Sequence, residues 1–172
     1  MVQLSRRELL RLTLGAGLLA ASGYFLKDIF HPAQLTRSEE KTLAAFLDTL
    51  IPADDVPGAV QFGVPEKIQE KAKRDNQYRR LVKQGCSWLD SRAGRLYAAS
   101  FDSLGEKDRD DILTIAAEAD PGSVQRIFFR QIRSDSFHHY YSHPGSWPQL
   151  GYNGPPQPKG FPDYDTTPSR NS

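Results

Sequence analysis

The sequence has little of what redox, metal or nucleotide chemistry requires. Its 172 residues include one cysteine, Cys86, so no internal disulfide can form. No cysteine-based metal or cluster site can be built from this chain alone. The C-x-x-C-H run for haem attachment is absent, as are a phosphate loop, a dinucleotide fingerprint and a nucleophile elbow. These absences argue against an independent enzyme, and no catalytic residue is assigned. Charge of one sign is also lacking. The net charge of +1 gives no general pull toward nucleic acid. The apolar run from Leu12 to Leu26, about 15 residues, is shorter than the ~20 that span a bilayer. No internal repeat appears, and no run reads convincingly as a strand. What is present is ordinary: 38% apolar and 25% charged residues, in a length suited to one domain with a real core.

The slight basicity belongs to the first segment. Without Arg6, Arg7, Arg11 and Glu8, the 22 basic and 21 acidic residues become 19 and 20. Ser5-Arg6-Arg7-Glu8-Leu9-Leu10-Arg11 precedes an apolar stretch with Gly15 and Gly17, followed by Ala20, Ala21, Ser22 and Gly23. A charged start, a short apolar middle and small residues make an export signal. The paired arginines before a mild apolar run resemble the twin-arginine type. Residues 1–27 are read as that signal, with Ser5, Arg6, Arg7, Leu9 and Leu10 as its core. Tyr24, Phe25 and Leu26 extend the apolar run, so cleavage and retention as an anchor both stand as readings.

Residues 28–35 read as a linker broken by Pro32, and 36–143 as a helical domain of about five helices. Thr36 and Glu39 have capping-box spacing. Leu43, Phe46, Leu47, Leu50 and Ile51 form one helical stripe, which Pro52 ends. Residues 52–63 are turn-rich, and Pro65 suits the first turn of a short helix ending near Lys73. A longer helix is expected from Gln77 to about Tyr97, with Tyr78, Leu81, Val82, Cys86 and Leu89 on one face and Trp88 near its edge. In that helix Gly85 and Gly94 either weaken it or let a neighbour approach. A further helix buries Ile112, Leu113, Ile115, Ala116 and Ala119. Ser123 caps the last, which carries Val124, Ile127, Phe128, Gln131 and Ile132 and frays near His143. The class is all-α.

Residues 144–172 form an extended, irregular C-terminal arm. It holds seven of the twelve prolines, together with Trp147, Tyr152, Phe161 and Tyr164. The prolines exclude regular helix or central strand.

Three places in the chain resemble the gluconate 2-dehydrogenase subunit 3 family, the small or gamma subunits of bacterial flavin-dependent sugar and polyol dehydrogenases. Leu43 through Asp54, then Pro57-Gly58-Ala59, is similar to the family's opening D-T-L-I-P-x-D…P-G-A pattern. Gly85 through Asp90 is similar to its middle G-x-x-x-L-D. Tyr140-Tyr141-Ser142, Gly151 through Pro158 and Gly160 through Tyr164 resemble its closing Y-Y-S…G-Y-x-G-P-P-x-P-x-G-Y-P run. The resemblance covers about residues 35–165.

The resemblance implies a subunit without an active site or cofactor of its own. Its implied partner is a large flavoprotein of the glucose–methanol–choline type, which holds FAD and performs the oxidation. A cytochrome c subunit often completes such an assembly. The implied role is escort: the partner folds around FAD, binds the small subunit and leaves through the twin-arginine translocase on this chain's arginine pair. The implied location is the periplasm, with inner-membrane association through the complex or an uncleaved signal. Gluconate, glucose, fructose and sorbitol are all compatible substrates of such a partner. The alternative is a stand-alone periplasmic helical small-molecule-binding protein.

Rigid rings bury area at little entropy cost, so Trp147, Tyr152, Pro155, Pro156, Phe161 and Tyr164 are expected to contact the partner. Phe128 and Phe129 point about 100° apart on a helix and are not expected to share one core face; Phe129 is assigned to the partner. Cys86 is expected to be buried, with a disulfide to a partner chain as its alternative. His139 and His143 at i, i+4 are weak metal candidates, since Pro144 breaks the helix and no carboxylate completes a zinc motif. No metal is assigned. Asp54-Asp55 and Asp108, Asp110 and Asp111 are read as turn and helix-start acids rather than a catalytic pair.

Overall fold

The structure is a computed structural model that describes residues 34–152 and Gly154. The export-signal residues Ser5, Arg6, Arg7, Leu9 and Leu10 lie outside the described residues, as do Pro155, Pro156, Phe161 and Tyr164. The described residues form five α-helices and three short 3-10 turns, with no strand among them. The all-α class follows directly.

Helix α1 spans Arg37–Leu50. Its capping box is complete: the Glu39 carboxylate accepts from the Thr36 N–H at 2.7 Å, and the Thr36 hydroxyl accepts from the Glu39 N–H at 3.3 Å. Leu43, Phe46 and Leu47 are fully buried, while Leu50 and Ile51 pack at the edge of the core. Helix α2 spans Val64–Arg74 and starts on Gly63, whose φ of 71° is left-handed and so suits glycine. Its inner face is Val64, Pro65, Ile68 and Ala72. Lys71, Lys73 and Arg74 occupy its last turn, where the helix dipole favours cations.

Asp75 ends α2 and caps α3, Asn76–Tyr97, through its carboxylate at 2.8 Å from the Gln77 N–H and 3.0 Å from the Tyr78 N–H. The buried face of α3 is Tyr78, Val82, Gly85, Cys86, Leu89 and Ala93. Helix α4 spans Glu106–Glu118 and buries Ile112, Leu113 and Ala116; Ile115 and Ala119 are only half-buried.

Helix α5, Val124–Tyr141, packs against α1, α2, α3 and α4. Its closest neighbour is α3. A Cβ on Gly85 would lie 2.1 Å from the Phe128 ring, so the helices meet there without one. Of the two readings offered by the α3 glycines, Gly85 takes close approach. Gly94 meets nothing within 4 Å.

The core face of α5 is wide. Phe128 and Phe129 are both buried, at 0% and 8% exposure. Phe46 packs on both, with ring centroids 5.0 Å and 6.1 Å away. The expectation that Phe129 faces a partner is therefore corrected. The buried residues Phe128, Phe129, Ile132, Ser136 and Tyr140 share one face about 120° wide, so two rings 100° apart both sit inside it, near its two edges. The same geometry leaves Val124 and Gln131, expected inside, at the surface.

Candidate partner-docking surface

The sequence pattern that starts the helical body and the one that ends it meet at one end of the bundle. After α1 the chain turns back on itself. The Ala59 N–H donates to the Ile51 carbonyl at 2.9 Å, and the Val64 N–H to the Ala59 carbonyl at 3.0 Å. Gly58 is pressed onto this turn: a Cβ there would lie 2.6 Å from the Ile51 carbonyl oxygen. Ala59 beside it is fully buried. The Tyr140 hydroxyl, from the last turn of α5, donates to the Pro57 carbonyl at 3.2 Å and accepts from Gln149 at 3.2 Å. Phe62 fills the angle between them, 5.3 Å from the Tyr140 ring and stacked at 4.2 Å on His143.

The arm begins by folding against this end. Two 3-10 turns, Pro144–Ser146 and Pro148–Leu150, follow α5. Ser146 is fully buried and its hydroxyl donates to the His143 carbonyl at 2.9 Å. The Trp147 indole N–H donates to the Tyr141 carbonyl at 2.9 Å. Tyr152 packs edge-on to Trp147 at 5.2 Å, and its N–H returns to the Trp147 carbonyl at 3.1 Å. Gly154 lies under the same indole, at a φ of 99°.

Apolar side chains remain uncovered here. Tyr141, Leu150 and Tyr152 are 49%, 57% and 46% exposed, and Phe137 is 37% exposed, one turn before Tyr141. Trp147 is half-buried. A cluster of exposed rings beside a fixed backbone is the composition of an interface rather than a core. Tyr141, Leu150 and Phe137 were not singled out as contacts from the sequence. The signal was there for two: Phe137 and Tyr141 sit at i, i+4, off the Phe128, Ile132, Ser136 and Tyr140 rows.

The middle pattern, by contrast, is interior. Asp90 accepts from the Thr42 hydroxyl at 3.0 Å and from the Phe101 N–H at 3.1 Å, joining α1, α3 and the turn after α3. Thr42 is fully buried. The Arg109 guanidinium bridges α4 to α1 through the Ala45 carbonyl and the Asp48 carboxylate, both at 3.3 Å. Cys86 is fully buried, with its thiol 3.6 Å from the Glu39 carbonyl. Burial, aided by the charges of Glu39 and Asp90, pushes that thiol far above its ordinary value. The burial expected for Cys86 holds.

A second polar cluster ties α2, α3 and α5. Asp135 accepts from the Tyr78 hydroxyl at 2.7 Å and from Lys71 at 2.9 Å, and Gln131 adds a bond at 3.3 Å. Lys71 also lies over the Tyr78 ring at 4.3 Å. Burial drives the Tyr78 hydroxyl up, and the Asp135 bond and charge reinforce it. For Asp135 burial opposes the charged form, but the bonds from Tyr78, Lys71 and Gln131 outweigh it and hold the carboxyl below its ordinary value. These contacts join helices, and Tyr78 and Gln131 also line an open groove between α3 and α5 together with Leu81, Gln84, Val124 and Ile127.

His139 and His143 are not placed as a pair of ligands. Helix α5 ends at Tyr141, so His143 is beyond it. The His143 Nδ1 accepts from the Gly145 N–H at 3.1 Å, and its ring is taken up by Phe62. His139 is held below its ordinary pKa by burial and by the neighbouring His138 charge. Among the described residues no three His, Cys, Asp or Glu side chains are grouped to hold a metal. No helix among them is long and apolar enough to cross a membrane. Asp54 accepts from the Val56 N–H at 2.9 Å, as a turn residue does, and Asp111 pairs with Lys107 at 3.7 Å on α4.

A family model described as gluconate 2-dehydrogenase subunit 3 matches residues 37–154. Neither the curated proteins nor the solved structures compared give a match. The matched span is more than half of the chain. It takes in all five helices, the turn built on Gly58, and the arm through Tyr152. The chain is thus a member of the gluconate 2-dehydrogenase subunit 3 family, whose name describes one subunit of a multi-subunit dehydrogenase.

Proposed function

We propose that this chain is the non-catalytic gamma subunit of a periplasmic FAD-dependent sugar or polyol dehydrogenase, and that it escorts the large flavoprotein through the twin-arginine route. The observation that carries the reading is the family match, which runs without a break from α1 into the exposed aromatic end of the molecule. A surface of Tyr141, Trp147, Leu150 and Tyr152 suits gripping a protein that is already folded. Trp147 and Tyr152 contact the large subunit in this reading, together with Pro155, Pro156, Phe161 and Tyr164 further along the arm.

FAD belongs to the large subunit, and this chain holds no cofactor of its own. The paired Arg6 and Arg7 supply the export address for both proteins. A cytochrome c subunit completes the electron path. The partner's substrate is a sugar, a polyol or a sugar acid.

Co-expression of the two chains tests this. With Arg6→Lys and Arg7→Lys, the large subunit is expected to stay in the cytoplasmic fraction with its FAD bound. A large subunit that reaches the periplasm in equal amount with the variant overturns the escort reading.

A further inference from the structure

Helix α5 carries its arginines on one side only. Arg126, Arg130, Arg133, Phe137 and Tyr141 follow one another at spacings of three and four, and so line a single stripe. Arg130, Arg133, Phe137 and Tyr141 are exposed, and Arg126 is half-buried. The one acid in α5, Asp135, falls on another side, bound to Lys71 and Tyr78. Among the described residues, no carboxylate lies within 4.0 Å of Arg126, Arg130 or Arg133.

The outward faces of α2 and α4 are different. On α2, Glu70 pairs with Arg74, and on α4, Lys107 pairs with Asp111. Those faces mix signs one turn apart, as solvated helix surfaces do. The α5 stripe is cationic along its middle and aromatic at its end. Arg133 joins the two parts, with its guanidinium 5.8 Å from both the Phe129 and the Phe137 ring centroids. An arginine lying over rings is already oriented, so pairing it with a carboxylate costs less order.

We propose that this stripe, Arg130 and Arg133 leading into Phe137, Tyr141 and Trp147, docks an apolar face of the large subunit that is rimmed with carboxylates. The proposal rests on the escort reading and adds which helix the large subunit touches and what chemistry it presents. Charge complementarity chooses the occupant: exposed arginines without an acid on their own stripe call for acids on the other side. The aromatic end supplies the apolar contact that charge alone does not.

The test is capture of the large subunit on the full-length chain, compared across salt. Arg130→Glu with Arg133→Glu is expected to weaken capture by about tenfold to a hundredfold at low salt. The difference is expected to shrink at roughly 1 M salt, where charges are screened beyond about 3 Å. Lys73→Glu with Arg74→Glu, on the mixed-sign face of α2, serves as the control and leaves capture unchanged. The exposed sites keep the fold intact, which the thermal melt of each variant checks. Capture that ignores the α5 reversal, or that falls equally at all salt concentrations, overturns this proposal and leaves the escort reading standing. Absence of capture by the unaltered chain overturns both.

Discussion

Two stretches that look alike as family patterns do opposite work. Gly85 through Asp90 is turned inward: Gly85 admits the Phe128 ring, Cys86 and Leu89 are fully buried, and Asp90 ties α1 to α3. Tyr140 through Tyr152 is divided: Tyr140 and Ser146 hold the end of the bundle together, while Tyr141, Leu150 and Tyr152 stand in solvent. The first stretch is explained by packing alone. The second is not, because nothing within the described fold asks for three uncovered apolar side chains side by side. A pattern of residues can thus encode folding in one place and recognition in another, and exposure separates them.

The comparison is broken most forcefully at Gly85. An added methyl would sit 2.1 Å from Phe128, and overpacking of this kind costs about 3 kcal/mol. The gain in helix propensity from glycine to alanine is about 1 kcal/mol, so the clash wins. Gly85→Ala is expected to lose about 2 kcal/mol in denaturant unfolding. Gly94→Ala on the same helix meets nothing within 4 Å and is expected to gain up to about 1 kcal/mol. Equal effects at the two sites would mean that α3 and α5 part easily.

Acid sharpens the inward half. The Asp135 carboxyl is held below its unfolded value, so the native state favours its ionised form. That contribution is present above the unfolded carboxylate pKa of about 3.9 and is lost as pH falls through the lower folded value. Asp135→Asn is expected to lower the melting temperature at neutral pH and to flatten its decline in acid. A variant that melts in parallel with the native chain down to pH about 2 would remove Asp135 from the fold's stability.

The smallest effect on stability is expected where the comparison predicts a surface. Leu150→Ser and Tyr152→Ser are each expected to cost less than about 1 kcal/mol. Capture of the large subunit is nonetheless expected to fall. Stability lost in the manner of a core residue, with capture unchanged, would move these side chains to the inward group.

Much of the helical body was legible in the sequence. The Thr36–Glu39 box, Pro52, Pro65 and Ser123 each act locally, through one or two hydrogen bonds or a missing N–H, so their neighbours suffice to read them. The stripe of α1 was legible because Leu43, Phe46 and Leu47 recur at the helical spacing and are all buried. Phe129 was misread because the core face of α5 is about 120° wide, enough for two rings 100° apart, and a period of 3.6 tells which residues share a side, not how wide that side is. His143 fell beyond the helix that would have aligned it with His139, and helix ends depend on what the next turn packs against. The start of the arm was read as extended, yet Pro144–Ser146 and Pro148–Leu150 curl back through Trp147. That return depends on a bond between an indole and a backbone carbonyl six residues away. The cationic stripe of α5 was hidden for a plainer reason: acids elsewhere balance it in the total.

Asp75 sets a limit of another kind. It is the last bond of α2 and the first of α3, so the corner between them has no residue to spare. One inserted residue there would turn α3 by about 100° about its own axis and turn Val82, Cys86 and Leu89 out of the core. The corner can change its letters but not its length, and insertions in related chains are to be looked for in the longer connection between Pro52 and Gly63.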